Sequence, residues 1–538
     1  MSATLWTGLL SGALALGATP PSEADDVRFA VTSLEPDGEL IDAELVDVDG
    51  DGRPEVTLAV RTESGERELR FHRLRPRGVE PEPYEVVHIL EETLAYGFAD
   101  VRDEPGRELV FLTGGGTWSY SLAKDGYRGN VQLFARVELI YDVPDPSELE
   151  YWNYVLQESG GDRVLLPARG GLEIWGPAPK DGATHAALSK FVASDLGGGV
   201  PFRDERRRRD GDDDNGEAEV RFTPMGITIE KEPDDGLFLQ SAETKRYTFL
   251  SNERGYRAPA LLDVNGDGAK DIVTWTGEAI AMHESRDGYP RSDEKREEVL
   301  PDYLDRDEVE LRFVDLDGDG DPDLLAKCSD EVTGLDKREI SLLVLLNDGK
   351  RLLPDKPHQI LRFETNDLRV ETADVNGDGR QDLALRKFDL PSMLGAVTGL
   401  EFRLTQLVFF GREGSRPFER KPALKQERVY DETGVRDIIA NRELSLDLSG
   451  DGRADLVEID LEGRVSIHRT TYSKSFFGGE SWGIEETPWL RFESFGTIES
   501  IRVEDLNGDG LGDVVSQSDG ALSFLMSGRP NRGNGGRE

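Results

Sequence analysis

Asp315-Leu316-Asp317-Gly318-Asp319-Gly320-Asp321-Pro322-Asp323 sets an acid at every odd position of nine residues, with glycine at the fourth and sixth. Side-chain oxygens recurring at every second residue, with a glycine to allow the sharp turn, can wrap a hard cation that takes roughly six to eight oxygen ligands. The stretches 47–55, 263–271, 374–382, 447–455 and 505–513 repeat the pattern. The candidate ligands at the first place are Asp47, Asp263, Asp315, Asp374, Asp447 and Asp505, and at the third Asp49, Asn265, Asp317, Asn376, Ser449 and Asn507. At the fifth place stand Asp51, Asp267, Asp319, Asp378, Asp451 and Asp509, and at the ninth Glu55, Asp271, Asp323, Asp382, Asp455 and Asp513. The carbonyl of the seventh residue and water would complete each shell. The chemistry is structural binding of Ca2+, up to six ions.

The same opening begins a helix-flanked calcium loop that ends on a bidentate glutamate at the twelfth place. Here the twelfth residues are Leu58, Thr274, Ala326, Leu385, Glu458 and Ser516, so a single loop would have that ligand. Each loop is followed instead by a short apolar run such as Glu55-Val56-Thr57-Leu58, Asp323-Leu324-Leu325 or Asp513-Val514-Val515. Brevity, branched side chains and flanking glycines make these buried strands.

The first aspartates recur at intervals of 52, 59, 73 and 58 residues from Asp263 to Asp505. Between Asp323 and Asp374 there is room for about four strands, the content of one propeller blade. The 216 residues from Asp47 to Asp263 should hide degenerate repeats. One is Asp100 to Glu108, which keeps acids at the first and ninth places but has Arg102 at the third, where a guanidinium would replace the ion. Another ends in Gly160-Gly161-Asp162-Arg163, with Gln157 and Ser159 at the third and fifth places. The fold class is therefore all-β: a single β-propeller of four-stranded antiparallel sheets, with eight blades, or seven if the repeats near 100 and 155 merge. Two strands from each terminus would pair to close the ring and remove its exposed edges.

Organisation along the chain follows. Residues 1–18 read as a signal peptide, apolar from Leu5 through Leu16 but with no Lys or Arg before that run. The propeller occupies 26–527, with insertions near 176–255 and 386–402, and 528–538 form a disordered tail. The run Arg206 to Asp214 reads as a solvated loop and Leu390 to Leu400 as a short covering helix. No later run approaches the ~20 apolar residues of a membrane span.

Loops such as Asp374-Val375-Asn376-Gly377-Asp378-Gly379-Arg380-Gln381-Asp382-Leu383 resemble the FG-GAP/VCBS repeats of integrin-α-type β-propellers. The resemblance covers most of the chain after residue 18. It implies a calcium-stabilised propeller that is secreted, periplasmic or on a cell surface, with calcium roles for the residues named above. The Phe-Gly and Gly-Ala-Pro signatures of that family are poorly kept here.

With 107 acidic against 64 basic side chains the formal charge is −43, which disfavours a phosphate backbone or an anionic lipid surface as partner. Hydrophobic content of 37% suffices for packed cores. The lone Cys328 excludes an intrachain disulfide, and its own role is packing. Signals for catalysis are thin. Gly479-Glu480-Ser481-Trp482-Gly483 matches a nucleophile-elbow pattern without the strand and helix it needs, and the six histidines are scattered. Trp118, Trp152, Trp175 and Trp275 read as packing between blades rather than stacking on sugars. The expected function is an exported, non-catalytic, monomeric binding or scaffold protein whose partner is a protein or a glycan and not nucleic acid. The alternative is a carbohydrate-active propeller, a lectin or a polysaccharide lyase-like enzyme.

Overall fold

The computed structural model describes residues 27–49, 52–102, 106–123, 126–137, 149–157, 161–168, 171–177, 185–192, 219–223, 226–230, 248–251, 260–275, 279–330, 337–390, 402–430, 442–459, 464–476, 479–493, 498–518 and 520–529. The signal-peptide segment, Asp51, the Arg206 to Asp214 run and the helix expected over most of 390–400 lie outside them.

Eight antiparallel sheets form a ring of blades. Blade 1 is Glu39–Val46, Glu55–Arg61, Arg67–His72 and Glu85–Ile89. Blade 2 is Thr93–Ala99, Glu108–Thr113, Gly116–Ala123 and Gly126–Ala135, with Glu150–Tyr151 added in parallel beside its first strand. Blade 3 is Val155–Leu156, Arg163–Ala168, Gly171–Pro177 and His185–Val192, and blade 4 is Ala260–Leu262, Asp271–Trp275, Ala279–Ser285 and Pro290–Val299. Blade 5 is Glu308–Val314, Asp323–Ser329, Arg338–Leu345 and Gln359–Thr365, with Thr248–Ser251 against its first strand. Blade 6 is Asp367–Ala373, Asp382–Asp389, Phe402–Phe409 and Leu424–Tyr430, and blade 7 is Arg442–Leu444, Leu456–Ile459, Arg464–His468 and Leu490–Glu493.

Blade 8 joins Ile498–Glu504, Asp513–Ser518 and Ala521–Gly528 to the N-terminal strand Arg28–Leu34, which pairs with Ala521–Gly528 from Arg28 opposite Gly528 to Leu34 opposite Leu522. Closure is thus one strand from the N-terminus and three from the C-terminus, not two from each. Glu39–Val46 is the first strand of blade 1, because each acidic loop joins the first strand of a blade to its second and therefore claims the strand before it. The stretches near 176–255 and 386–402 contain strands as well as residues outside the described ones. His185–Val192 completes blade 3, Asp382–Asp389 is uninterrupted, and a separate hairpin, Glu219–Thr223 with Gly226–Glu230, follows blade 3 in the chain.

Second strands are buried on both faces, which is why they read as continuous apolar runs: every residue of Glu108–Thr113 is buried, as is all of Glu55–Arg61 except the last. The cores lie between blades. Val46, Leu69 and Phe71 of blade 1 meet Tyr96, Phe98 and Phe111 of blade 2. Phe313 and Leu324 of blade 5 pack with Val273 and Met282 of blade 4. Leu58 and Val60 of blade 1 meet Val515, Phe524 and Met526 of blade 8, so the hydrophobic seam closes where the strands do. Arg312 of blade 5 donates to the Val370 carbonyl of blade 6, and Arg502 of blade 8 donates to the Ala43 carbonyl of blade 1 at 3.2 Å. The same position, three residues before a loop, makes the same tie across two seams.

Trp152 is buried between blades 2 and 3 and donates its indole N–H to the Leu165 carbonyl at 2.8 Å, Trp175 is half-buried in that seam, and Trp118 is exposed. The Trp275 side chain is outside the described residues. Cys328 is buried and packed in the seam of blades 4 and 5, and burial pushes its thiol up to about 12, which disfavours the thiolate. Among the described residues no helix is long and apolar enough to cross a membrane.

Candidate metal loops

Because every blade runs in the same sense, all eight loops between first and second strands emerge on one face of the ring. They touch one another there. Arg107 N–H donates to the Val48 carbonyl (3.3 Å), Asp162 N–H to Asp100 (2.6 Å), Ala454 N–H to Val375 (3.0 Å) and Gly512 N–H to Asp447 (2.7 Å). The Asn347 side-chain amide links blade 5 to the Val264 carbonyl at 3.0 Å.

Within a loop the acids first organise the backbone. The first-place carboxylate accepts from the sixth-place glycine: Asp47 from Gly52 (2.9 Å), Asp263 from Gly268 (2.7 Å), Asp315 from Gly320 (3.1 Å), Asp374 from Gly379 (2.7 Å), Asp447 from Gly452 (2.7 Å) and Asp505 from Gly510 (2.9 Å). Those glycines lie at φ between +83° and +95°, a region open to glycine and costly to other residues. The fifth-place carboxylate accepts from the seventh N–H, as Asp267 does from Ala269 at 2.9 Å and Asp509 from Leu511 at 3.0 Å. This is turn chemistry that also points oxygens inward.

The ninth-place acid does something the spacing did not reveal. One of its oxygens accepts the N–H of the second loop residue, as in Val48 to Glu55 (3.0 Å), Val264 to Asp271 (3.1 Å), Leu316 to Asp323 (2.8 Å), Val375 to Asp382 (2.9 Å), Leu448 to Asp455 (3.0 Å) and Leu506 to Asp513 (2.9 Å). In five blades the other oxygen accepts an N–H at or just past the end of the third strand: Ser285 (2.6 Å), Asn347 (2.8 Å), Gly411 (2.7 Å), Thr470 (3.3 Å) and Ser527 (2.7 Å). The acid therefore clasps three successive strands. No side-chain signal marks the donors, because they are main-chain groups.

Burial raises Asp271, Asp323, Asp382 and Asp455 to about 7 and Asp513 to about 6, against the pull of those N–H donors. A divalent cation beside them would favour the ionised form. In two loops the carboxylates already converge: oxygens of Asp47, Asp49 and Glu55 lie within 4.8 Å of one another, as do those of Asp315, Asp317 and Asp323. Oxygen-only donor sets of this charge suit calcium.

The degenerate loops keep the frame. Glu108 accepts from Val101 (2.8 Å) and Arg102 (3.1 Å), and burial pushes it up to about 7. The Arg102 guanidinium donates to the Ser119 and Ser121 hydroxyls (2.8 and 2.9 Å), tying the loop to the third strand. In blade 3 the third and fifth places carry no acid, and Asp162 accepts the Asp100 N–H at 2.8 Å.

Glu458, the one glutamate at a twelfth place, lies in a second strand and pairs with Arg428 and Arg442. Ser481 lies in the hairpin Thr470–Lys474 with Glu480–Ile484, opposite Ser473, where there is no strand-to-helix elbow. His72, His283, His358 and His468 belong to blades 1, 4, 5 and 7 and form no common centre.

A model of the FG-GAP-like repeat matches residues 315–385, the loops of blades 5 and 6. No curated protein matches the chain. Among solved structures, one described as the crystal structure of S. cerevisiae core factor at 3.2 Å resolution overlays with a TM-score of 0.33 and 8% identity, covering 97% of this chain. The overlay spans 63% of that protein's chain, and at this TM-score it carries no argument. The eight blades make the chain a β-propeller, and the stretch 315–385 within it matches the FG-GAP-like repeat.

Proposed function

We propose that this propeller is an exported, non-catalytic binding or scaffold protein whose acidic loops take calcium and so rigidify one face of the ring. The observation that carries the reading is the convergence of Asp47, Asp49 and Glu55, and of Asp315, Asp317 and Asp323, on oxygen clusters within 4.8 Å. These residues would hold the ion, and the ninth-place acid would connect it to the clasp across three strands. Calcium supplies positive charge and rigidity, and the blades supply a surface for a protein or glycan partner. Filling a site to ten times its dissociation constant adds about 1.4 kcal/mol to the folded state, so several loops together would move the melting temperature visibly. Thermal unfolding with calcium and with chelator tests this. The expected result is a rise with calcium that Asp315→Asn together with Asp317→Asn reduces; equal melting in both conditions would defeat the calcium reading. A glycan array separates the two partner classes.

A further inference from the structure

The loop that opens at Asp447 carries at its seventh place an arginine that turns back onto the loop's own fifth-place acid. Arg453 donates its main-chain N–H to one oxygen of Asp451 at 3.0 Å, and its guanidinium pairs with the other oxygen of the same carboxylate. The Arg453 Nε donates to the Thr470 carbonyl at 3.1 Å, beyond the third strand of blade 7. Both oxygens of the fifth-place acid are therefore engaged by one arginine. The third place is neutral here, as it is in the loops with Asn265, Asn376 and Asn507, and Ser449 is fully buried. Blade 6 provides the contrast. Its seventh residue is also an arginine, but Arg380 turns outward and pairs with Glu413 at 2.7 Å. Blade 2 provides the parallel, since Arg102 likewise ties its loop to the third strand.

We propose that Arg453 is the resident cation of the Asp447 loop, a guanidinium latch that takes the place of calcium there, leaving five of the six acidic loops to bind the ion. The proposal rests on the calcium reading for its stoichiometry but not for the role of the arginine. A guanidinium on the fifth-place carboxylate neutralises the loop without dehydrating an ion, and its bond to Thr470 joins loop and third strand as a shared metal shell otherwise would.

Two measurements on the full chain test it. The first is bound calcium per chain by equilibrium dialysis. Asp374→Asn should bind one ion fewer than the wild type and Asp447→Asn the same number; loss of an ion in Asp447→Asn overturns the proposal. The second is melting in chelator, which needs no calcium. Arg453→Gln should melt a few degrees below the wild type, Arg380→Gln with it, and added calcium should restore Arg453→Gln by filling the vacated loop. If Arg453→Gln melts as the wild type does in chelator, the latch is wrong. If neither the wild type nor Asp374→Asn binds calcium, the functional reading falls, and the chelator comparison still decides the arginine.

Discussion

Glu458 shows how one carboxylate can hold two blades. It accepts from Arg428 of blade 6 through both oxygens at 2.9 Å, pairs with Arg442 of its own blade and lies 3.4 Å from the His468 Nε2. Burial alone would raise its carboxyl, but His468, Arg442 and Arg428 outweigh burial and hold it down to about 2. A folded pKa below the ordinary value of 4.5 means that the stability it contributes is fully present above about 4.5 and is lost as pH falls toward 2. The shift corresponds to about 3 kcal/mol at about 1.4 kcal/mol per unit. Glu458→Gln should cost about that much in urea unfolding at pH 7, and the gap from wild type should narrow steadily below pH 4.5. Sequence reasoning could mark the loop acids because their side-chain oxygens recur at a fixed spacing. It could not find the clasp of Asp513 onto Ser527 N–H, or the network around Glu458, because their partners are main-chain groups or come from another blade.

Loops and strands were legible to different degrees for a physical reason. A loop such as 374–382 must satisfy left-handed backbone and oxygen spacing at once, so few residue types fit, whereas outer strands such as Pro290–Val299 face solvent and carry PRSDEKREEV with little periodicity. Blade 3 is visible in the sequence only through its glycines and the strand pair around Leu165, because edge strands resemble loops. Two glycines of one loop separate the demands of the turn from those of packing. Gly379 has φ +85° and open space where a Cβ would go, so Gly379→Ala should cost only the left-handed penalty, about 1 kcal/mol. Gly377 has φ +76°, and a Cβ there would overlap the Gly452 carbonyl of the next loop. Gly377→Ala adds overpacking to strain and should cost about 3 kcal/mol. Denaturant midpoints of the pair check this; equal losses would mean that the loops of blades 6 and 7 do not lean on each other.

The ring closes on a seven-residue strand, Arg28–Leu34. In its absence Ala521–Gly528 would become an open edge, and Leu522, Phe524 and Met526, buried in the seam of blades 8 and 1, would lose the cover of Leu34. The strand adds few contacts to a protein of this size, but it is the sole backbone pairing across the seam between the two ends of the described chain, so its effect is on cooperativity as much as on stability. Deleting residues 28–34 should therefore broaden the unfolding transition and cause self-association through the exposed edge, read by light scattering and sedimentation. A synthetic peptide RFAVTSL should reverse both by pairing antiparallel with Ala521–Gly528 in the register of Arg28 opposite Gly528. A peptide with Ala30 and Thr32 changed to proline removes the N–H of those two residues and should fail to rescue. If the deleted protein stays monomeric and unfolds as sharply as the intact one, the packing between blades that remains is enough to hold the ring, and the terminal strand is dispensable.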